Sequence, residues 1–159
     1  MSLFGKPKGT IITPFPEWDS GAMAWGGCNT ADVPSTGSNV SLYNNATQGL
    51  AFFVYLISAT STDFAFLNVF FIKAIGTQLV GPCFPIDAQG AQPFGQIYAE
   101  NFAIPPPKSS FALIGSTQAQ QIGQNWPVAI VRPGYSLVVQ SDTGADELSV
   151  GFIYRVGAF

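Results

Sequence analysis

Residues 131–156 read VRPGYSLVVQSDTGADELSVGFIYRV, and their pattern sets the fold class. Arg132-Pro133-Gly134 is turn chemistry: proline presets φ, and glycine supplies conformations that other residues avoid. Tyr135, Leu137 and Val139 then alternate with Ser136, Val138 and Gln140. Past the polar run Asp142-Thr143-Gly144-Ala145-Asp146, Leu148, Val150, Phe152 and Tyr154 alternate with Ser149, Gly151, Ile153 and Arg155. A period of two is the signature of a strand with one buried face. Two such runs flanking a short polar loop predict a β-hairpin.

Working outward, the same chemistry recurs. Segments rich in Val, Ile, Phe, Tyr and Thr predict strands at 40–43, 51–58, 64–75, 78–80, 96–102, 110–113, 128–131, 135–141 and 148–156, with Gly, Pro, Asn or Asp in most of the gaps. No stretch keeps a convincing helical period, and Pro105-Pro106-Pro107 blocks a helix there. Short helical turns fit only near Thr117–Gln121 or Asp87–Gln92. The expectation is an all-β protein, an antiparallel β-sandwich of about eight strands.

Ahead of these segments, residues 1–38 are rich in Gly, Pro, Ser and Thr, and Pro7, Pro14, Pro16 and Pro34 oppose a helix. They read as an extended N-terminal arm and loop, with the sandwich domain at 39–159. Lys6 and Lys8 are followed by prolines and glycine instead of an apolar stretch, so no signal peptide is expected. No apolar run is long enough for a membrane span.

Two predicted strands are apolar on both sides. Along 50–59, Leu50, Phe52, Val54 and Leu56 alternate with Ala51, Phe53, Tyr55 and Ile57; along 64–73, Phe64, Phe66, Phe70 and Ile72 alternate with Ala65, Leu67, Val69 and Phe71. A sandwich sheet normally wets its outer face. A second apolar face calls for a cover, and a neighbouring subunit is favoured over the N-terminal arm folding back. Phe53, Tyr55, Phe66 and Phe71 are therefore the candidate interface residues of the sandwich, with Phe4, Ile11, Ile12 and Phe15 of the arm.

Composition excludes several functions. The 159 residues hold six Lys and Arg, nine Asp and Glu, and no His, for a formal charge of −3. That balance argues against nucleic acid, whose phosphates require clustered cations. Without His there is no His-based triad, general base or His-ligated metal. Glu17 and Asp19 beside Trp18 read as solvated loop acids. Asp142, Asp146 and Glu147 read as a turn and not a Ca²⁺ loop. No G-x-S-x-G, G-x-G-x-x-G or P-loop occurs. Thus no enzyme activity, catalytic residue, metal or cofactor is expected. Cys28 and Cys83 could pair or serve as two small buried side chains. Asn39-Val40-Ser41 and Asn45-Ala46-Thr47 match the glycosylation sequon at a rate chance supplies. Loops with Trp18, Trp25 and Trp126, the last ending the Gln-rich run 117–126, offer an alternative function: a receptor- or carbohydrate-binding module stacking a sugar on tryptophan.

The segment from Val131 to Val156 also resembles the closing hairpin of small β-sandwich structural proteins in tailed-phage virions. Those end with a Pro-Gly turn, an L-x-V-x-S strand (here Leu137 to Ser141), a short polar loop, and an L-x-V strand with a closing aromatic (here Leu148 to Tyr154). The resemblance implies a jelly-roll-like sandwich and a virion structural role such as capsid decoration (cement) protein, fibre or tail accessory. It implies partners of three kinds: further copies of the chain with a trimer favoured, the major capsid protein, and other virion proteins. It implies location in the virion after synthesis in the host cytoplasm, and carries over no catalytic residue.

Overall fold

The computed structural model describes residues 23–30, 38–61, 66–85, 92–102, 104–105, 111–114, 120–123, 127–141 and 148–158; for 23–30, 66, 111–114 and 120–123 the description is of the backbone. The strands are β1 (Met23–Thr30), β2 (Asn39–Tyr43), β3 (Leu50–Ser61), β4 (Phe66–Ile72), β5 (Leu79–Pro82), β6 (Phe84–Pro85), β7 (Gln96–Glu100), β8 (Phe111–Ile114), β9 (Gln120–Gly123), β10 (Ala129–Val131), β11 (Ser136–Ser141) and β12 (Leu148–Ala158). Every pairing is antiparallel.

One sheet runs β10-β3-β12-β1-β6, with β9 beside β10 on β3; the other runs β5-β7-β2-β11-β4-β8. Leaving out β5 to β7, the pairs are nested: β1 with β12, β2 with β11, β3 with β10, β4 with β8. Successive pairs fall in alternate sheets. A long antiparallel ribbon rolled up in this way is a jelly roll, the double Greek key that closes a sandwich without a helix. The segment between β4 and β8 is an addition to it. It appends β5 and β7 to the edge of one sheet and β6 to the edge of the other.

The nine segments expected from sequence all carry strands, but three features differ. First, β11 and β12 are not paired with each other. β11 lies between β2 and β4, and β12 between β1 and β3. Alternation reports which face is buried, not which strand lies alongside. Second, Met23–Thr30, placed by the sequence reading in the N-terminal arm and loop, pairs with β12 along its whole length. Its two glycines and lack of alternation hide it. Third, β9 replaces the possible helical turn in the Gln-rich run, held by its ladder to β3.

Between the sheets lies one core. Val40, Leu42, Leu67, Val69, Leu137 and Val139 meet Phe52, Val54, Ile57, Val150, Phe152 and Tyr154, all essentially inaccessible. Phe52 stacks on Tyr154 with ring centroids 4.6 Å apart. A bulge explains the apparent two-sidedness of β3. Ile153 faces Leu56 while the next residue, Tyr154, faces Val54, so Tyr55 is the extra residue. Phe52 and Val54 point inward before it, Ile57 and Ala59 after it. The inward row changes phase, and strict alternation cannot describe the strand.

On β4 the second face is covered by the chain itself. Phe70 is 1% exposed. A strap at 74–78 crosses the outside of this sheet: Ser136 Oγ donates to the Ala74 carbonyl at 2.7 Å, and the Glu100 carboxylate accepts from the Thr77 amide and from Thr77 Oγ1 at 2.9 Å. At the other end, the Ile104 amide donates to Gln140 Oε1 at 2.7 Å and Gln140 Nε2 donates back to the Ile104 carbonyl at 2.9 Å. Buried polar groups so matched stitch the covering segments down without leaving donors unpaired. Phe70 is thus covered within the chain, while Phe71 on the same strand is exposed.

Candidate assembly surface

The added segment is chemically unusual. Across residues 74–99 the sequence carries one charge, Asp87. Among the described residues eight large apolar side chains are exposed, and six of them (Ile75, Leu79, Val80, Phe84, Phe94 and Phe102) lie between β4 and β8. The other two, Phe71 and Ile130, lie on β4 and β10, so most of the exposed apolar side chains among the described residues sit in the insertion.

Four of the six form a rim along one side of the sandwich. β5 ends one sheet and β6 ends the other, with Cys83 as the single residue between them, so 79–85 bridges the two sheets at their edges. Gly81 and Pro82 face Ile97 and Gln96, and the Cys83 amide donates to the Gly95 carbonyl at 3.0 Å. Past Cys83, Phe84 pairs with Trp25 of β1, while Phe94 immediately precedes Gly95. Leu79, Val80, Phe84 and Phe94 are 42–58% exposed. Together they present on the order of 300 Å² of apolar surface, the size of the largest apolar patch on a typical monomer, which is often functional. Pro82, Pro85 and the bulge at Val80 interrupt the backbone edge, so the rim offers side chains and little free ladder.

A buried polar knot fixes the rim from inside. Tyr154 Oη donates to the Phe94 carbonyl at 2.6 Å and is bonded to the Cys83 thiol; the Gly95 amide donates to Asn45 Oδ1 at 2.8 Å, and Gln92 Nε2 donates to the Cys83 carbonyl. Cys83 is a free thiol in the core. Burial pushes it up from about 9.0 to about 11, with the Tyr154 bond acting the other way; burial, and secondarily Cys83, also raises Tyr154. A thiol that stays protonated at neutral pH is a poor nucleophile, so Cys83 belongs to packing. The linkage has a direction. Below about pH 9 the thiol is protonated folded and unfolded; from about pH 9 to about 11 the unfolded chain loses a proton that the folded chain keeps, and stability falls. Urea unfolding is expected to show a flat stability up to about pH 9 and then a loss of about 3 kcal/mol, smaller in Cys83→Ala.

On the opposite side of the sandwich the edges are β10 in one sheet and, beyond the reach of β8, β4 in the other; β8 pairs only with Phe66–Val69. Between them lies a cleft of about 300 Å³ lined by Phe71, Ile130, Arg132 and Tyr135. Phe71 and Ile130 are exposed there. Asn44 holds the turn behind it: its amide donates to the Tyr135 carbonyl at 2.9 Å, and its carbonyl accepts from the Gly134 amide at 2.9 Å.

Of the residues named from sequence, Phe71 lies exposed in this cleft, but Tyr55 is 4% exposed and is closed to any contact. Phe53 is half-buried under the Arg155 guanidinium, 4.2 Å from the ring centroid. Trp25 sits on β1 opposite Ile153. Phe4, Ile11, Ile12, Phe15, Trp18 and Trp126 lie outside the described residues, as do Glu17, Asp19, Asp142, Asp146 and Glu147; Phe66 is described as backbone. The sequon at Asn39 is shut, since Asn39 is wholly buried and its amide donates to the Phe102 carbonyl at 2.8 Å. Among the described residues no three His, Cys, Asp or Glu converge on a point, and no helix is long and apolar enough to cross a membrane. Sequence reasoning missed the rim, although the run at 74–99 with its single charge was its visible signal.

The fold and rim place the chain in the class of jelly-roll β-sandwiches, with an exposed apolar edge. It matches no family model, no curated protein and no solved structure.

Proposed function

We propose that this protein is a non-enzymatic structural subunit of a virus particle, a capsid decoration protein that acts through contacts with copies of itself and with the capsid protein. The observation that carries the reading is the uncharged rim of Leu79, Val80, Phe84 and Phe94 on an otherwise complete jelly roll. Depletion of charge with enrichment of aromatic side chains is the composition of an interface core. A jelly roll is also a fold of viral capsid domains, which supports the reading by analogy, as does the resemblance of residues 131–156 to phage virion proteins. The work is mechanical: many uncharged contacts, repeated by symmetry, with little charge to desolvate.

Two measurements test it. Light scattering after size exclusion is expected to give a stable oligomer, a trimer near three times 16.9 kDa; a monomer at all concentrations overturns self-association. Mass spectrometry of gradient-purified particles from the source is expected to find the chain in fixed ratio to the capsid protein. Its absence from clean particles overturns the virion assignment.

A further inference from the structure

The molecule has two apolar surfaces of opposite shape, and the topology puts them on opposite sides. The rim is convex: Phe84 is 58% exposed and stands at the edge strand β6. The cleft at β10 and β4 is concave, about 300 Å³, with Phe71, Ile130 and Tyr135 as walls and the Arg132 residue at its lining. A cavity of about 150 Å³ holds a benzene ring, so the cleft has room for a phenylalanine side chain. Aromatic and arginine side chains at its lining are the types that dominate binding energy at interfaces, and a guanidinium packs well against a ring face.

We infer that the occupant of the cleft is the rim of a second copy of this chain, with Phe84 as the inserted side chain. Three observations favour a copy over a foreign partner. Both surfaces belong to one chain. The rim lies in a run with a single charge, and the cleft lining holds one, Arg132, beside Phe71, Ile130 and Tyr135, so charge complementarity is a minor part of either surface. The rim alone, on the order of 300 Å², falls short of the ~800 Å² per partner of a stable interface; seated in a cleft, it gains the cleft walls and the polar borders of both. Because rim and cleft are different surfaces, the contact is heterologous. Each subunit gives a rim to one neighbour and takes a rim from another, and such contacts close into a ring where the rotation between neighbours allows it and run on as a filament where it does not. This inference rests on the self-association proposed above and adds its geometry.

Phe84→Asp spoils the rim and leaves the cleft; Ile130→Asp spoils the cleft and leaves the rim. Each is expected to be a folded monomer with self-association weakened about a hundredfold or more. Mixed in equal amounts at high concentration, the two are expected to form a one-to-one heterodimer and nothing larger, since exactly one intact rim meets one intact cleft. Sedimentation velocity reads all three. Should either aspartate disturb folding, Val80→Asp and Phe71→Gln make the same pair. An Ile130→Asp protein that still assembles as wild type, while Phe84→Asp does not, means rims pair with rims and overturns the inference but not self-association. A mixture that stays monomeric also overturns it. A monomeric wild type overturns self-association itself.

Discussion

Gly95→Ala is expected to lower stability by about 3 kcal/mol or more, enough to drop the melting temperature by about 10 °C. Gly95 has φ +127°, a backbone conformation that side chains resist. A Cβ there would lie 2.1 Å from Tyr154 Oη and 3.0 Å from Cys83 Sγ. Neither neighbour can step aside. Tyr154 is fully buried, stacked on Phe52, and donates at 2.6 Å to the Phe94 carbonyl. Moving it breaks that bond and strands a carbonyl, at about 1–3 kcal/mol. Overpacking adds about 1–3 kcal/mol, and the backbone about 1–2. Gly49 is the control: its φ is +88°, yet nothing lies within 4 Å of its Cβ position. Gly49→Ala is expected to cost only about 1 kcal/mol, by backbone alone. Equal urea midpoints for the two variants would show that the knot yields, and with it the rigid seating of Phe94 on the rim.

The contrast between local and long-range information runs through this fold. Strand positions were legible because Val, Ile, Phe and Tyr cluster between Gly and Pro, and β2, β7 and β11 stand where that chemistry placed them. Partners were not. Residues 135–156 read as a hairpin, yet β11 and β12 lie in different sheets. A two-residue turn forces adjacent strands to pair, whereas the six residues between Ser141 and Leu148 leave them free to enter opposite layers. The bulge at Tyr55 was hidden for a related reason. It is defined by the ladder to β12, and one residue's slip turned two alternating half-strands into a strand that looked apolar on both sides. The candidate surface suffered in consequence. Phe53 and Tyr55 belong to that apparent second face, while Leu79 and Val80 lie in the short predicted strand 78–80 and Phe84 follows in a stretch broken by Gly and Pro. Only the crossing from β5 to β6 shows it to be a sandwich edge.

Asn44→Ala is expected to cost about 3–4 kcal/mol and to weaken assembly beyond that cost. Asn44 is wholly buried, and its side chain serves three backbone groups: Nδ2 donates to the Val131 carbonyl at 2.8 Å and to the Leu50 carbonyl at 3.3 Å, and Oδ1 accepts from the Ala46 amide at 2.8 Å. Alanine leaves the buried groups among these without a partner, each at about 1–3 kcal/mol. Asn44→Asp keeps the acceptor but sets a carboxylate oxygen against the Val131 carbonyl, and is expected to be worse. The second effect follows from position. Asn44 Nδ2 holds the Val131 carbonyl at the start of the 132–135 turn, and Arg132 and Tyr135 line the cleft. If the cleft receives a neighbour's Phe84, loosening that turn spoils the receiving surface while the fold persists. Val139→Ala, a core truncation between the sheets expected to cost about 2–3 kcal/mol, separates the two effects. At a temperature where both variants remain folded by circular dichroism, Asn44→Ala is expected to dissociate at a higher protein concentration than Val139→Ala, relative to their losses in stability. Equal weakening for equal destabilisation would mean that the turn supports only the fold, and that the assembly contact lies away from the cleft.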